Sequence, residues 1–215
     1  MGTSKINPTL RKILMPLAYA LLSIALCISF GYCFKSFYFT SIYVDGNSMY
    51  PTLVGQRDNA DYGVVEKHMV AKLNVKRYQI VTTTYPWESP DKVMIKRVLI
   101  LPNETFRINA DGEHSIELFD KQNNVWKKLP IPFERNLTSS NKTYPETTLG
   151  NDEYIVAGDN WSNSDDCLLH HRPITYSNII GVVIKMEGRC TYDPDTHNIT
   201  NKRPYATRYF FGVDY

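Results

Sequence analysis

Cysteine is scarce in this sequence, with four residues in a chain of 215, which argues against disulfide-rich and zinc-stabilised domains. Two of the four lie in an apolar N-terminal segment, so no framework of several disulfides can form. Cys167 and Cys190 can form one disulfide in an oxidising compartment or remain free thiols. His114, His170 and His171 show no metal-ligand spacing with the cysteines, so no metal site is expected. A glycine-rich phosphate-binding loop is also absent, and no cofactor is predicted.

Acidic residues are missing from the first 35 positions, which contain four cations: Lys5, Arg11, Lys12 and Lys35. The whole chain has 24 Lys and Arg against 22 Asp and Glu, so the remaining 180 residues carry 20 cations against 22 acids. A domain with this balance has no basic excess with which to bind a polyanion. Nucleic acid is therefore not an expected partner.

Charge is also missing from residues 13–34, an apolar run of 22 residues. As a helix this run would be roughly 33 Å long, enough to cross a hydrocarbon core of about 30 Å. Because the preceding residues are cationic, we expect residues 1–12 in the cytoplasm, 13–34 as an uncleaved anchor in the cell membrane, and 36–190 as an extracytoplasmic domain. A buried core helix is the alternative interpretation.

The rest of the chain has short strand patterns between turn signals, which predicts a mostly β fold. The patterns cover residues 40–44, 61–65, 78–84, 93–101, 153–157 and 178–186. Residues 103–149 are expected to form an inserted β subdomain, with a hairpin turning at Asp111-Gly112. The tail, residues 191–215, has no period, and no regular structure is predicted for it.

Three separated segments could supply nucleophilic chemistry. Ser48 lies in the turn-prone stretch 46–53 (GNSMYPTL), and Lys96 lies on the apolar strand 93–101. Side chains alternate across a strand, so Lys96 and its neighbour Arg97 face opposite sides. Burial lowers the pKa of a lysine and lets it act as a general base for a serine. An exposed edge strand with two solvated cations is the alternative. The third segment is the polar loop 158–166 (GDNWSNSDD).

These three segments, in this order after one N-terminal anchor, resemble the signature segments of type I signal peptidases. The resemblance implies a signal-peptidase-like antiparallel β domain that removes signal peptides from exported precursors, cutting after small residues at −1 and −3. Its partners would be those signal peptides and the lipid bilayer, while the oligomeric state stays open. The resemblance assigns Ser48 as nucleophile, Lys96 as base, and Ser164 as hydrogen-bond partner of the lysine amine.

The remaining site positions are also implied by the resemblance. The oxyanion would be held by the Ser48 backbone N–H, with Gly46 beside it. Support would come from Asp159, Asn160, Asp166 and Arg97, and the substrate cleft would include Met49 and Pro51. The family usually has an arginine two positions after the carboxylate of Asp166, where this chain has Leu168. An unpaired buried carboxylate is unfavourable, so we expect Arg97 or Arg172 to pair with Asp166.

Two other functions stay open on the sequence. The long insertion and the altered 158–166 loop suit a maturation protease dedicated to one substrate, such as a conjugative pilin. The same alterations suit a membrane-anchored binding protein that has lost its catalytic activity. A histidine-based triad using Ser48 has no motif in its favour.

Overall fold

A computed structural model describes residues 8–68, 74–89, 92–109, 113–138 and 142–210 of the chain. Its first element, α1 (Pro8–Tyr38), is a helix of 31 residues, about 46 Å long. The helix is long and apolar enough to cross a membrane. The side chains of residues 9–37 are exposed, so α1 is not a core helix of the protein. An exposed apolar helix of this length is stabilised by a bilayer rather than by water.

Residues 40–215 form a second compact unit, which is built on an antiparallel sheet. Its order is β1 (Phe39–Tyr43), β3 (Asn59–Glu66), β12 (Ile179–Tyr192), β4 (Ile80–Thr83), β5 (Met94–Ile100), β10 (Glu153–Ala157) and β11 (Ile174–Thr175). The short β2 (Gly55–Gln56) pairs with β3. The predicted mostly β fold behind one apolar helix is confirmed. Because β5 lies between β4 and β10, the alternative of an exposed edge strand for Lys96 is excluded.

A separate four-stranded sheet interrupts the chain between the neighbouring strands β5 and β10. It contains β6 (Thr105–Ile108), β7 (Ile116–Asp120), β8 (Val125–Lys128) and β9 (Tyr144–Thr148), in the order β8-β7-β6-β9. We call residues 103–149 the insert. Phe106, Ile108 and Ile116 are buried in the same core cluster as β5 and β10, so the insert packs on the main sheet. The hairpin turn predicted at Asp111-Gly112 lies outside the described residues.

The tail departs from the sequence prediction, because β13 (Ile199–Tyr209) pairs with β12 along most of its length. The strand is exposed at most positions, so its side chains carry no alternation of apolar and polar residues. Backbone pairing with the long β12 holds it instead, and such pairing leaves little trace in hydropathy.

Candidate active site

Ser48 lies in a turn that follows β1 and is fixed by its neighbours. Gly46 has φ +84°, a left-handed conformation that glycine adopts without strain. The Leu53 N–H donates to the Met49 carbonyl at 2.9 Å, and the side chains of both residues are buried in the core. These contacts hold Ser48, which is half-buried, at the surface of a cleft.

Lys96 extends from β5, where it pairs across the sheet with Val81 of β4. Its side chain is buried, and Nζ donates to Ser164 Oγ at 3.1 Å. Burial lowers the pKa of Lys96 to about 8, while the nearby carboxylate of Asp166 opposes this shift. A substantial fraction of the amine is therefore neutral at mildly alkaline pH. A neutral amine can accept a proton.

Ser48 and Lys96 line one cleft of about 690 Å³. No hydrogen bond joins them in the part of the chain that the structure describes. The walls of the cleft are residues 41–49 on one side and 92–96 on the other, and Asn163, Asp165 and His197 also contribute.

The 158–166 loop holds the Ser48 turn through the backbone. The Asn160 N–H donates to the Ser48 carbonyl at 3.0 Å, and Asn160 Nδ2 donates to the Asn47 carbonyl at 3.0 Å. A Cβ atom at Gly158 would lie 2.1 Å from the Ser48 carbonyl oxygen and 2.4 Å from Ser164 Oγ. Only glycine allows this close approach of the loop to the turn.

Arg97 points away from Lys96, as strand alternation predicts, and pairs with Asp159. Its guanidinium donates from Nε to Oδ1 at 2.8 Å and from Nη2 to Oδ2 at 2.6 Å. Thr52 Oγ1 donates to the same carboxylate at 2.5 Å. Arg97 and Asp159 are both buried, so their bidentate pairing compensates the desolvation of two charges. Asp159 thus links the Ser48 turn to the strand that carries Lys96.

The expectation that Arg97 or Arg172 pairs with Asp166 is wrong. Lys142 of the insert contacts this carboxylate instead, with Nζ 2.8 Å from each of its oxygens. Arg97 is committed to Asp159 on the opposite face of β5. Asp166 also accepts from the Leu168 N–H at 3.1 Å and caps the short helix α2 (Cys167–His170). Sequence reasoning missed Lys142 because no motif surrounds it and it lies 24 residues upstream of its partner.

The other predicted site residues differ in whether they line the cleft. Met49 and Gly46 line the cleft, whereas Pro51 is not among its lining residues. The Gly46 N–H donates to the Gly55 carbonyl at 3.1 Å, so this group is occupied and cannot serve as a second oxyanion donor. The Ser48 N–H donates to no protein acceptor among the described residues. Sequence reasoning also missed Thr52, which has no signal beyond its place after the turn.

The two cysteines beyond α1 are free thiols, which resolves the alternative left open by the sequence. Cys167 and Cys190 are buried in different core clusters. Burial raises the pKa of Cys167 to about 12, so this thiol stays protonated near neutral pH and is a poor nucleophile.

Ser48 and the buried Lys96 thus line one cleft of a mostly β domain that follows a long apolar helix. The family model described as signal peptidase, peptidase S26 matches residues 17–186 of the chain. The protein belongs to this family of serine peptidases. A comparison with curated proteins found no match.

Proposed function

We propose that the protein is a membrane-anchored endopeptidase that removes N-terminal signal peptides from exported precursors, with Ser48 as nucleophile and Lys96 as general base. The observation that carries this proposal is the buried Lys96 amine in the same cleft as Ser48. A lysine in water would be protonated at neutral pH and unable to accept a proton. Burial of Lys96 reduces that obstacle, because it lowers the pKa of the amine to about 8 and makes about a tenth of it neutral at pH 7.

In the first chemical step, Lys96 Nζ takes the proton of Ser48 Oγ as this oxygen attacks the carbonyl carbon of the scissile bond. The negative charge that forms on the carbonyl oxygen accepts a hydrogen bond from the Ser48 N–H, a contribution of about 3–4 kcal/mol in comparable hydrolases. The tetrahedral intermediate then breaks the C–N bond. The Lys96 ammonium returns its proton to the leaving amine, and an acyl ester remains on Ser48.

In the second step, Lys96 takes a proton from a water molecule, and the resulting hydroxide attacks the ester carbon. The ester C–O bond breaks, the proton returns from Lys96 to Ser48 Oγ, and the signal peptide leaves with a free carboxylate. Ser164 Oγ, which accepts from Lys96 Nζ, holds the amine in position through both steps. Asp159, Asn160 and Arg97 keep the loop, the strand and the turn together.

The cleft suits an extended peptide. β1 is an edge strand, and residues Met94–Lys96 of β5 pair with β4 but have no partner from β10, whose pairing begins at Arg97. Two free backbone edges therefore border the cleft. A substrate segment can add to them as a strand, with its small side chains against the apolar residues Val44 and Met49.

The proposed location is the cell membrane. Residues 1–12 would lie in the cytoplasm, α1 would be the single anchor, and the β domain would lie outside the cell membrane. Signal peptides are themselves apolar segments in the bilayer, and confinement of enzyme and substrate to one membrane raises their effective concentration. The cations Arg11 and Lys12 at the start of α1 support this orientation.

The test uses the full chain in detergent micelles with an exported precursor as substrate. Ser48→Ala and Lys96→Ala should each abolish cleavage, while Ser177→Ala, an exposed serine far along the chain, should retain it. The rate should rise with pH and level off above about 8, because only neutral Lys96 accepts a proton. Full activity in Ser48→Ala would refute the proposal.

The same assay separates the two alternatives. A protease dedicated to one substrate would process one precursor and leave unrelated precursors intact. A binding protein without catalytic activity would process none, and its Ser48 would resist acylation by a peptide-based or β-lactam-like inhibitor.

A further inference from the structure

We infer that Lys142, which comes from the insert, is a positioning residue for the general base: it fixes Asp166 and Ser164, and through them the hydroxyl that orients Lys96. The inference rests on the proposed roles of Ser48 and Lys96. If Lys142 has this role, the insert is a required part of the active site.

The contacts of the Lys142 ammonium fill its donor capacity. Nζ lies 2.8 Å from each oxygen of Asp166 and 2.5 Å from the Ser164 carbonyl, and an ammonium group has three N–H donors. The side chains of Lys142 and Asp166 are 5% and 0% exposed. Asp166 in turn accepts from the Gly158 N–H at 3.1 Å. Asp166 therefore joins the two ends of the 158–166 loop, and the Lys142 ammonium fixes that carboxylate.

The charge of Lys142 has a specific task, because Asp166 has no other cationic partner among the residues whose contacts are described. In the signal-peptidase pattern an arginine two positions later would fill that place, and here the position holds the buried, apolar Leu168. A buried carboxylate without a partner is strongly unfavourable. Lys142 supplies the missing positive charge from a different part of the chain.

Independent contacts show that the insert is fastened to the loop around Lys142. The Asn136 N–H donates to the Asp159 carbonyl at 2.9 Å, and Asn136 Nδ2 donates to Asn160 Oδ1 at 3.0 Å. His114 Nδ1 donates to the Lys142 carbonyl at 2.8 Å. The backbone that carries Lys142 is thus held on the insert side while its side chain crosses to the loop.

Lys142 also changes the electrostatic surroundings of the base. The charged groups that act on Lys96 are the carboxylates of Asp166 and Asp165, which favour the protonated amine, and the Lys142 ammonium, which disfavours it. Without Lys142, the charge of Asp166 would stabilise the Lys96 ammonium. A rise of about one unit in the pKa of the base lowers its neutral fraction at pH 7 about tenfold.

The experiment compares Lys142→Met with Lys142→Arg in the full chain in detergent. We expect Lys142→Met to lower kcat at pH 7 about tenfold, with KM little changed, and to shift the pH–rate profile upward by about one unit. Lys142→Arg keeps the charge and should retain most of the activity and the wild-type profile. Lys128→Met removes an exposed lysine of the same insert, ion-paired to Glu113, and should behave as wild type.

A double variant, Lys142→Met with Asp166→Asn, covers the case in which the single variant fails to fold. With both charges removed, the double variant should fold and its profile should return toward the wild-type midpoint. An unshifted profile in Lys142→Met, or equal loss in Lys142→Met and Lys142→Arg, would overturn the inference. If Ser48→Ala is inactive in the same series, failure of the inference about Lys142 leaves the proposed function intact. An active Ser48→Ala variant would overturn the proposed function itself.

Discussion

Replacement of Lys96 by methionine should abolish activity and at the same time stabilise the fold. Lys96 is buried, and no carboxylate forms an ion pair with it in the described part of the chain. The fall of its pKa from the ordinary 10.5 to about 8 corresponds to about 3 kcal/mol of destabilisation near neutral pH. Methionine fills a similar volume without a charge. It also loses the hydrogen bond to Ser164, worth about 1 kcal/mol, which leaves a net gain of about 2 kcal/mol.

The gain in stability from Lys96→Met should decrease as the pH rises. A lysine whose pKa is lower in the folded state than in the unfolded state destabilises the fold fully below the folded value, here about 8. The penalty disappears as the pH rises from there to about 10.5, because the unfolded chain then loses the same proton. Lys96→Met should therefore stabilise by about 2 kcal/mol at pH 7 and destabilise slightly near pH 10.5, where the loss of the hydrogen bond to Ser164 outweighs what remains of the penalty.

Thermal unfolding of the full chain in detergent, followed by tryptophan fluorescence, measures this effect. For a domain of this size, a net gain of about 2 kcal/mol raises Tm by roughly 4–8 °C. Lys142→Met is the matched control, because it removes a buried lysine that does have a carboxylate partner, and it should destabilise by about 3 kcal/mol. A Lys96→Met variant that is no more stable at pH 7, or a gain that does not change with pH, would refute the reasoning.

Two further substitutions test the support of the site. Gly158→Ala should lower kcat at least about tenfold, because its Cβ would lie 2.1 Å from the Ser48 carbonyl oxygen and a misplacement of about 1 Å is severe in catalysis. The control is Gly150→Ala, whose Cβ would have a Glu153 side-chain atom at 3.3 Å as its nearest neighbour. Equal activity of the two variants would contradict the prediction. Arg97→Lys should lower the free energy of unfolding by about 1.5–3 kcal/mol through loss of the bidentate pair with Asp159, measured by urea denaturation. The half-exposed pair of Arg107 with Glu117 offers Arg107→Lys as a control, which should change stability by less than about 1 kcal/mol.

The parts of the site that the sequence predicted are those governed by short-range rules. Strand alternation alone placed Lys96 and Arg97 on opposite faces of β5, and the structure gives them different partners, Ser164 and Asp159. The turn at Ser48 follows from a glycine before it and a proline after it. A strand, a turn and a polar loop are each set by neighbours in the chain, so their residues carry the signal.

The parts that escaped prediction depend on contacts between distant segments. Lys142 stands in a polar stretch without periodicity, and its partnership with Asp166 arises only once the insert has packed on the main sheet. The pairing of β13 with β12 is of the same kind. The hydrogen bond from the Gly46 N–H to the Gly55 carbonyl also depends on backbone geometry, which the side chains do not predict.

The two buried lysines, Lys96 and Lys142, have opposite electrostatic requirements. This difference explains why the insert affects the active site. In the proposed mechanism Lys96 must lose its proton to act as a base, so a carboxylate near it is harmful unless a cation pairs with that carboxylate. Asp166 is such a carboxylate, and the loop needs it as the acceptor for Gly158 and Leu168. With leucine at position 168, the compensating cation has to come from outside the loop. Lys142 meets this need: its ammonium pairs with Asp166 and opposes the effect of that carboxylate on Lys96, while burial, the larger cause, lowers the pKa of the Lys96 amine.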